Sequence, residues 1–184
     1  MQPTSRWKIS YLSYFSRPYT DRLIYRAILR DKVHRILELG IGRGKRALRM
    51  IDVAANFSQR SEIQYFGIDP FEDRTQNQGL GLTFIDAHRL FKRSGAKVKL
   101  IPGDPLSGVE RTANTLGQVD LLLISSQFES SQLDPLWIYI PRLLHEHTLV
   151  FLEQDRANGR KAMLTISHHE INHWASQAIR RKAA

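Results

Sequence analysis

A three-layer α/β fold, with helices on both faces of a mainly parallel sheet, is what the order of apolar patterns along this chain predicts. Five short apolar runs, at 33–39, 63–69, 97–104, 119–125 and 148–154, alternate with segments of helical spacing. That is the order of βαβ units. Two of the runs, "LLLIS" and "LVFL", are apolar almost throughout, as strands covered on both faces are. The length, 184 residues with 42% hydrophobic and 24% charged, suits one domain able to bury its own core.

The elements follow in order. "YTDRLIYRAILRD" (19–31) starts at Thr20 and sets Leu23, Ile24, Ala27 and Ile28 on one stripe, an amphipathic helix ahead of the sheet. "VHRILEL" (33–39) is the first strand and "KRALRMIDVAANF" (45–57) the first crossover helix. "IQYFGID" (63–69) is a strand ended by Pro70, and "LTFIDAHRLFKRSG" (82–95) a helix stopped by Gly95. "KVKLIPGD" (97–104), "SGVERTANTLG" (107–117) and "VDLLLIS" (119–125) read as strand, helix and strand. "LDPLWIYIPRLLHE" (133–146) has helical apolar spacing, with Pro141 as a break. "TLVFLEQ" (148–154) is the fifth strand, and only about 30 residues follow it. The sheet is therefore expected to stop there. Residues 1–32 read as a helical extension or lid, 33–155 as the core and 156–184 as a C-terminal docking helix, all within one domain.

The chain has no cysteine, which excludes disulfides, thiolate metal sites and a cysteine nucleophile. It has neither an apolar run of about 18 residues nor a leader-like N-terminus, so a cytoplasmic protein without membrane association is expected. The net charge of +9 is local: residues 1–50 hold twelve Lys+Arg against three Asp+Glu, whereas residues 51–184 hold fifteen of each. A basic face attracts nucleic acid, anionic headgroups or an anionic small molecule, or is simply solvated.

The tail contains His169-Glu170-Ile-Asn-His173, formally the H-E-x-x-H of a zinc site. No His, Asp or Glu follows in 174–184 to act as a third ligand. Ser167 and Glu170 make a capping box instead, and Ile171, Trp174, Ala175, Ala178 and Ile179 form an apolar stripe. A docking helix without metal is expected.

The chemistry centres on "ILELGIGRGKR" (36–46). A phosphate-binding P-loop needs G-x-x-x-x-G-K-[ST]; Gly40 to Gly44 is one residue short and Arg46 stands in the hydroxyl's place. A dinucleotide fingerprint needs G-x-G-x-x-G; here the third glycine comes one position early, so a nicotinamide-binding domain is a weaker reading that stays open.

The apolar strand, acidic residue and G-x-G-x-G resemble the first motif of the class I S-adenosylmethionine-dependent methyltransferases, over roughly residues 33–155. The resemblance implies a Rossmann-like sheet and S-adenosylmethionine as cofactor. Gly40, Gly42 and Gly44 would admit its methionine part, and Glu38 would help hold its ammonium group. It further implies that Asp69 accepts from the ribose hydroxyls and that Asp104 lies by the adenine edge. Methyl transfer then goes to a small-molecule acceptor, with an anionic one suggested by the basic segment and nucleic acid less favoured. Glu153 is the candidate base, Asp155 lies beside it, and Ser125 and Gln127 are acceptor contacts. Aromatics interleaved with arginines in "YLSYFSRPYTDR" suit either acceptor recognition, with Tyr14 and Arg17, or packing of the leading helix. "SSQ" (125–127) stands where many members carry an acidic or N-P-P-[YF]-like motif. The alternative is a non-catalytic module that binds the cofactor or its demethylated product and holds nucleic acid or protein through its basic N-terminus. Oligomeric state is not legible.

Overall fold

The computed structural model describes residues 5–128, 130–156 and 159–183. Its sheet has six strands in the order β3-β2-β1-β4-β5-β6: β1 (Arg35–Leu39), β2 (Gln64–Asp69), β3 (Lys97–Pro102), β4 (Val119–Ile124), β5 (Leu144–Asp155) and β6 (Lys161–Ile166). The first five run parallel, and β6 lies antiparallel to β5. The chain order reverses at β1, which pairs with both β2 and β4. In an open α/β sheet that is the switch point, and a crevice opens beyond the strand ends there.

Alternation along β1 builds both cores. Leu37 and Leu39 face one side, where they join Leu122 and Ile124 of β4 under α5 (Pro105–Leu116) and α7 (His168–Ala183). Ile36 faces the other, under α2 (Asp21–Asp31), α3 (Lys45–Ala54) and α4 (Phe84–Lys92), with Tyr65 stacked on Phe91 at 5.1 Å. Glu38 shares that second face, so the motif's carboxylate starts out buried.

Ahead of the sheet, α1 (Arg6–Tyr14) and α2 form a hairpin against α3. Lys8 pairs with Asp52 at 2.6 Å, and Arg49 donates to the Arg17 carbonyl at 3.0 Å.

Two sequence expectations are corrected. Residues 133–146 do not form one helix. After the single turn of α6 (Ser130–Leu133) come two 3-10 segments, Asp134–Ile138 and Ile140–Leu143, each with a proline near its start, and β5 already begins at Leu144. Pro135 and Pro141 remove the donors a continuous helix needs. The sheet also does not stop at the fifth strand. Residues 161–166 add β6, which pairs Val150–Asp155 with Ile166–Lys161 before α7 begins. At the start of α7, Glu170 accepts from the Ser167 amide (2.8 Å) and hydroxyl (2.7 Å), and the Ser167 hydroxyl accepts from the Glu170 amide (3.2 Å), a closed capping box.

Candidate functional site

The turn after β1 has three glycines with left-handed backbone, Gly40 at φ +90°, Gly42 at +59° and Gly44 at +70°. A side chain at Gly40 would lie 2.7 Å from both Gln127 and Ser125, whereas one at Gly42 would meet nothing within 4 Å. The turn is thus tight against β4 at one end and open at its middle. A cleft of about 590 Å³ lies above it, at the carboxyl ends of β1, β4 and β5.

Arg46, in the first turn of α3, organises the cleft floor. Its guanidinium reaches Glu153 at 2.8 Å, Glu38 at 3.2 Å and Asp21 at 3.4 Å. These are three buried carboxylates on three elements. Lys161 of β6 also reaches Glu153, at 3.1 Å. Three carboxylates thus face two cations across the floor. Burial pushes the Glu38 carboxyl up, to about 7, because Arg46 and the Tyr65 hydroxyl at 2.6 Å offset only part of the lost hydration. Burial likewise raises Asp21. Glu153 goes the opposite way. Burial acts to raise it, but Arg46 and Lys161 together outweigh that and bring it down to about 2. A carboxylate that stays ionised to so low a pH is a weak proton acceptor. Glu153 instead accepts from the Ser126 amide (3.3 Å) and hydroxyl (3.2 Å) and from the Ser125 hydroxyl (3.5 Å), and so orients that loop.

Asp69 ends β2 beside the turn and is fully buried. One oxygen accepts from the amides of Ile41 (2.8 Å) and Gly42 (3.1 Å). The other accepts from the Phe71 amide (2.8 Å) and from the guanidinium of Arg74. A carboxylate has about four acceptor positions, and all four are in use. Arg74 also reaches Gln127 at 3.3 Å, while Arg74 Nε and Gln127 Nε2 are buried without a hydrogen-bond partner.

The structure therefore brings together only part of the expected set. Gly40, Gly42, Arg17, Ser125, Gln127, Glu153 and Asp155 line the cleft. Glu38 and Asp69 lie beneath the turn, behind Arg46 and Arg74. Gly44 is buried against Leu82 and Leu90 of the neighbouring layer. Asp104 follows Gly103, whose amide donates to the Asp69 carbonyl at 3.1 Å, and is exposed; it caps α5 by accepting from the Ser107 amide (3.0 Å) and hydroxyl (2.6 Å), bonds that lower its pKa against a burial effect that acts to raise it. Tyr14 faces away, into a separate trough beside β5. Sequence reasoning gave no role to Asp21, Arg74 or Lys161. Lys161 and Asp21 reach the cleft from chain segments far from the glycine turn, and Arg74 sits in a polar stretch without periodicity, so no local pattern marks any of the three.

The cleft mouth differs from the floor. Arg17, Arg43 and Lys45 line it and make no ion pair among the described residues. No group of three His, Cys, Asp or Glu suited to a metal occurs among the described residues, nor a helix long and apolar enough to cross a membrane.

No protein-family model and no curated protein matches the chain. Solved structures do. An O-methyltransferase of Streptomyces achromogenes involved in tomaymycin synthesis, in complex with S-adenosylmethionine, aligns at TM-score 0.59 and 12% identity, over 98% of this chain and 78% of that one. A putative O-methyltransferase of Klebsiella pneumoniae aligns at TM-score 0.57 and 16% identity, over 97% and 75%. A putative caffeoyl-CoA O-methyltransferase of Staphylococcus aureus aligns at TM-score 0.54 and 21% identity, over 78% of this chain and 65% of that one, so the chain spans just under two thirds of that structure. The chain has the Rossmann-like fold of the class I methyltransferases.

Proposed function

We propose that this chain is a class I S-adenosylmethionine-dependent methyltransferase that acts on a small acceptor bearing negative charge. The observation that carries the reading is the open glycine turn at the sheet's switch point, set over a floor of buried carboxylates. That floor complements a ligand with an ammonium and a sulfonium group, and the room at Gly42 suits close approach of a ligand to backbone. Gly40 and Gly42 would hold the methionine part, and Gly44 would shape the turn. Glu38 would act on the ammonium through the field it shares with Arg46. Asp69 would take the ribose once Arg74 yields its place. When bound, S-adenosylmethionine supplies an activated methyl group, so the chain mainly has to orient two ligands.

The acceptor's charge follows from two features. Arg17, Arg43 and Lys45 stand at the mouth without an ion pair among the described residues. Glu153 is held too low to take a proton efficiently, which suits an acceptor oxygen that is already ionised near neutral pH, such as a carboxylate. Ser125 and Gln127 would position that oxygen, and Glu153 would hold Ser126 and Arg46 in place.

The test is calorimetric titration of the full chain with S-adenosylhomocysteine and, separately, with a nicotinamide dinucleotide. Binding of the first and not the second supports the reading; the reverse replaces it with an oxidoreductase-type site. Transfer of labelled methyl from the cofactor to a panel of carboxylate, phenolate and neutral acceptors then tests the charge preference. Cofactor binding with no transfer to any of them would leave the non-catalytic binding module.

A further inference from the structure

We propose that the α1–α2 hairpin is a docking surface for single-stranded nucleic acid, a role beyond the methyl transfer proposed above and independent of it. Of the hairpin's aromatic residues, Tyr25 is buried in the core and the others are exposed. Trp7, Tyr11, Tyr14, Phe15 and Tyr19 are the aromatics among the exposed large hydrophobics, with exposures from 55% (Tyr11) to 86% (Trp7). Trp7, Tyr11, Tyr14 and Phe15 follow the i, i+4, i+7, i+8 spacing of one helix face, while Ile9 and Leu12 bury the opposite face. An exposed stripe of this kind marks an interaction surface.

Its surroundings identify the occupant. Arg22, Arg26 and Arg30 repeat every fourth residue along α2, Arg22 donating to the Ser16 carbonyl at 2.8 Å and Arg30 pairing with Asp31 at 2.7 Å. Arg26 is exposed and commits only Nε, to the Arg22 carbonyl at 3.3 Å. A trough of about 630 Å³ runs beside this row, walled by Tyr14, Leu23, Arg26 and Arg30 on one side and by Leu149 and Thr165 of β5 and β6 on the other. The row lies within the segment that carries the whole positive excess of the chain. A second copy docked about a two-fold axis through this row would set the arginines against themselves. A single strand suits the aromatic stripe and the arginine row together, since bases stack on exposed aromatic faces and phosphates lie along guanidinium groups.

Fluorescence anisotropy with a 5′-labelled twelve-nucleotide oligouridylate, on the full chain without cofactor and across a salt series, tests this. We expect binding whose logarithm falls by about 0.7 per phosphate contacted for each logarithm of salt. Tyr11→Ala and Tyr14→Ala should each weaken it about fivefold or more, and Arg26→Ala should shallow the salt slope. Circular dichroism should be unchanged, because these side chains are exposed. Absence of binding at low salt would overturn the proposal, as would equal binding by the tyrosine variants. So would light scattering that shows a dimer dispersed by Tyr11→Ala, or sedimentation with phosphatidylglycerol vesicles abolished by the same change. Titration of these variants with S-adenosylhomocysteine reads the cofactor site separately, so either proposal can fail while the other stands.

Discussion

The floor of the cleft and the hairpin beside it use the same residue types to opposite ends. On the floor, Arg46 is surrounded by three carboxylates and Arg74 is closed onto Asp69, so the charges are matched inside the protein. On the hairpin and at the cleft mouth, Arg17, Arg43 and Lys45 have no ion-pair partner among the described residues, and the aromatics face solvent. An arginine whose partners are buried is architecture, because removing it strands charges away from water. An exposed arginine costs the fold little, so it is free to serve a ligand.

The most severe way to break this contrast is Arg46→Met. It leaves Glu38, Asp21 and Glu153 without their shared cation, and loss of one partner of a buried pair costs about 3–5 kcal/mol. Urea denaturation at neutral pH should show that loss. A drop below about 1 kcal/mol would mean that the floor tolerates net charge and that the contrast is overstated.

Next in size is the pH dependence that burial imposes on Glu38. Its folded value of about 7 lies above the ordinary 4.5, so between those values the folded state binds the proton that the unfolded state has lost. Stability from this group therefore falls as pH rises from about 4.5 to about 7, by no more than roughly 3 kcal/mol. Glu153, lowered to about 2, has the opposite sign: its contribution is present above pH 4.5 and disappears as pH falls toward 2. Thermal melts at intervals from pH 3 to 8 should show the slope above 4.5 flatten in Glu38→Gln; an unchanged slope would mean that Glu38 does not titrate there.

Arg74 sharpens the comparison from the ligand side. Arg74→Ala lowers stability by leaving Asp69 without its cation, but it frees one acceptor position while three backbone amides still hold the carboxylate. Since a charged hydrogen bond contributes about 1.5–3 kcal/mol, affinity for S-adenosylhomocysteine should rise roughly tenfold or more by calorimetry. Weaker binding would instead make Arg74 a ligand contact. Asp69→Ala is a poorer probe, because it strands four donors and perturbs the fold as well as the site.

The smallest effect on the fold is expected at the mouth. Arg43→Ser with Lys45→Ser should change stability by less than about 0.5 kcal/mol per site, leave cofactor affinity unchanged and raise KM for an anionic acceptor. An unaltered KM would leave the mouth as a solvated face.

The parallel strands were legible because a strand covered on both faces must be apolar wherever it lies, and that pattern is local. Residues 133–146 were not, since helical spacing survives in two 3-10 segments and the prolines decide between the two. Nor was β6, where "KAMLTI" has no clean alternation and becomes a strand by pairing with β5 at the sheet's edge. In the site, the glycine turn was readable from spacing, but the partner that covers Asp69 was not.

By itself, then, the amino-acid sequence determined the three-layer α/β class, the glycine turn and its carboxylates, and the confinement of positive charge to residues 1–50. Each of these depends on residue type and spacing along the chain. Only the tertiary structure decided which charges are matched and which face water. Arg46 meets Glu153 across 107 positions, and Tyr11 and Tyr14 face solvent although their pattern suited packing equally well. Burial and ion pairing depend on what a side chain meets in space, and partners brought in by remote segments leave no mark on local spacing.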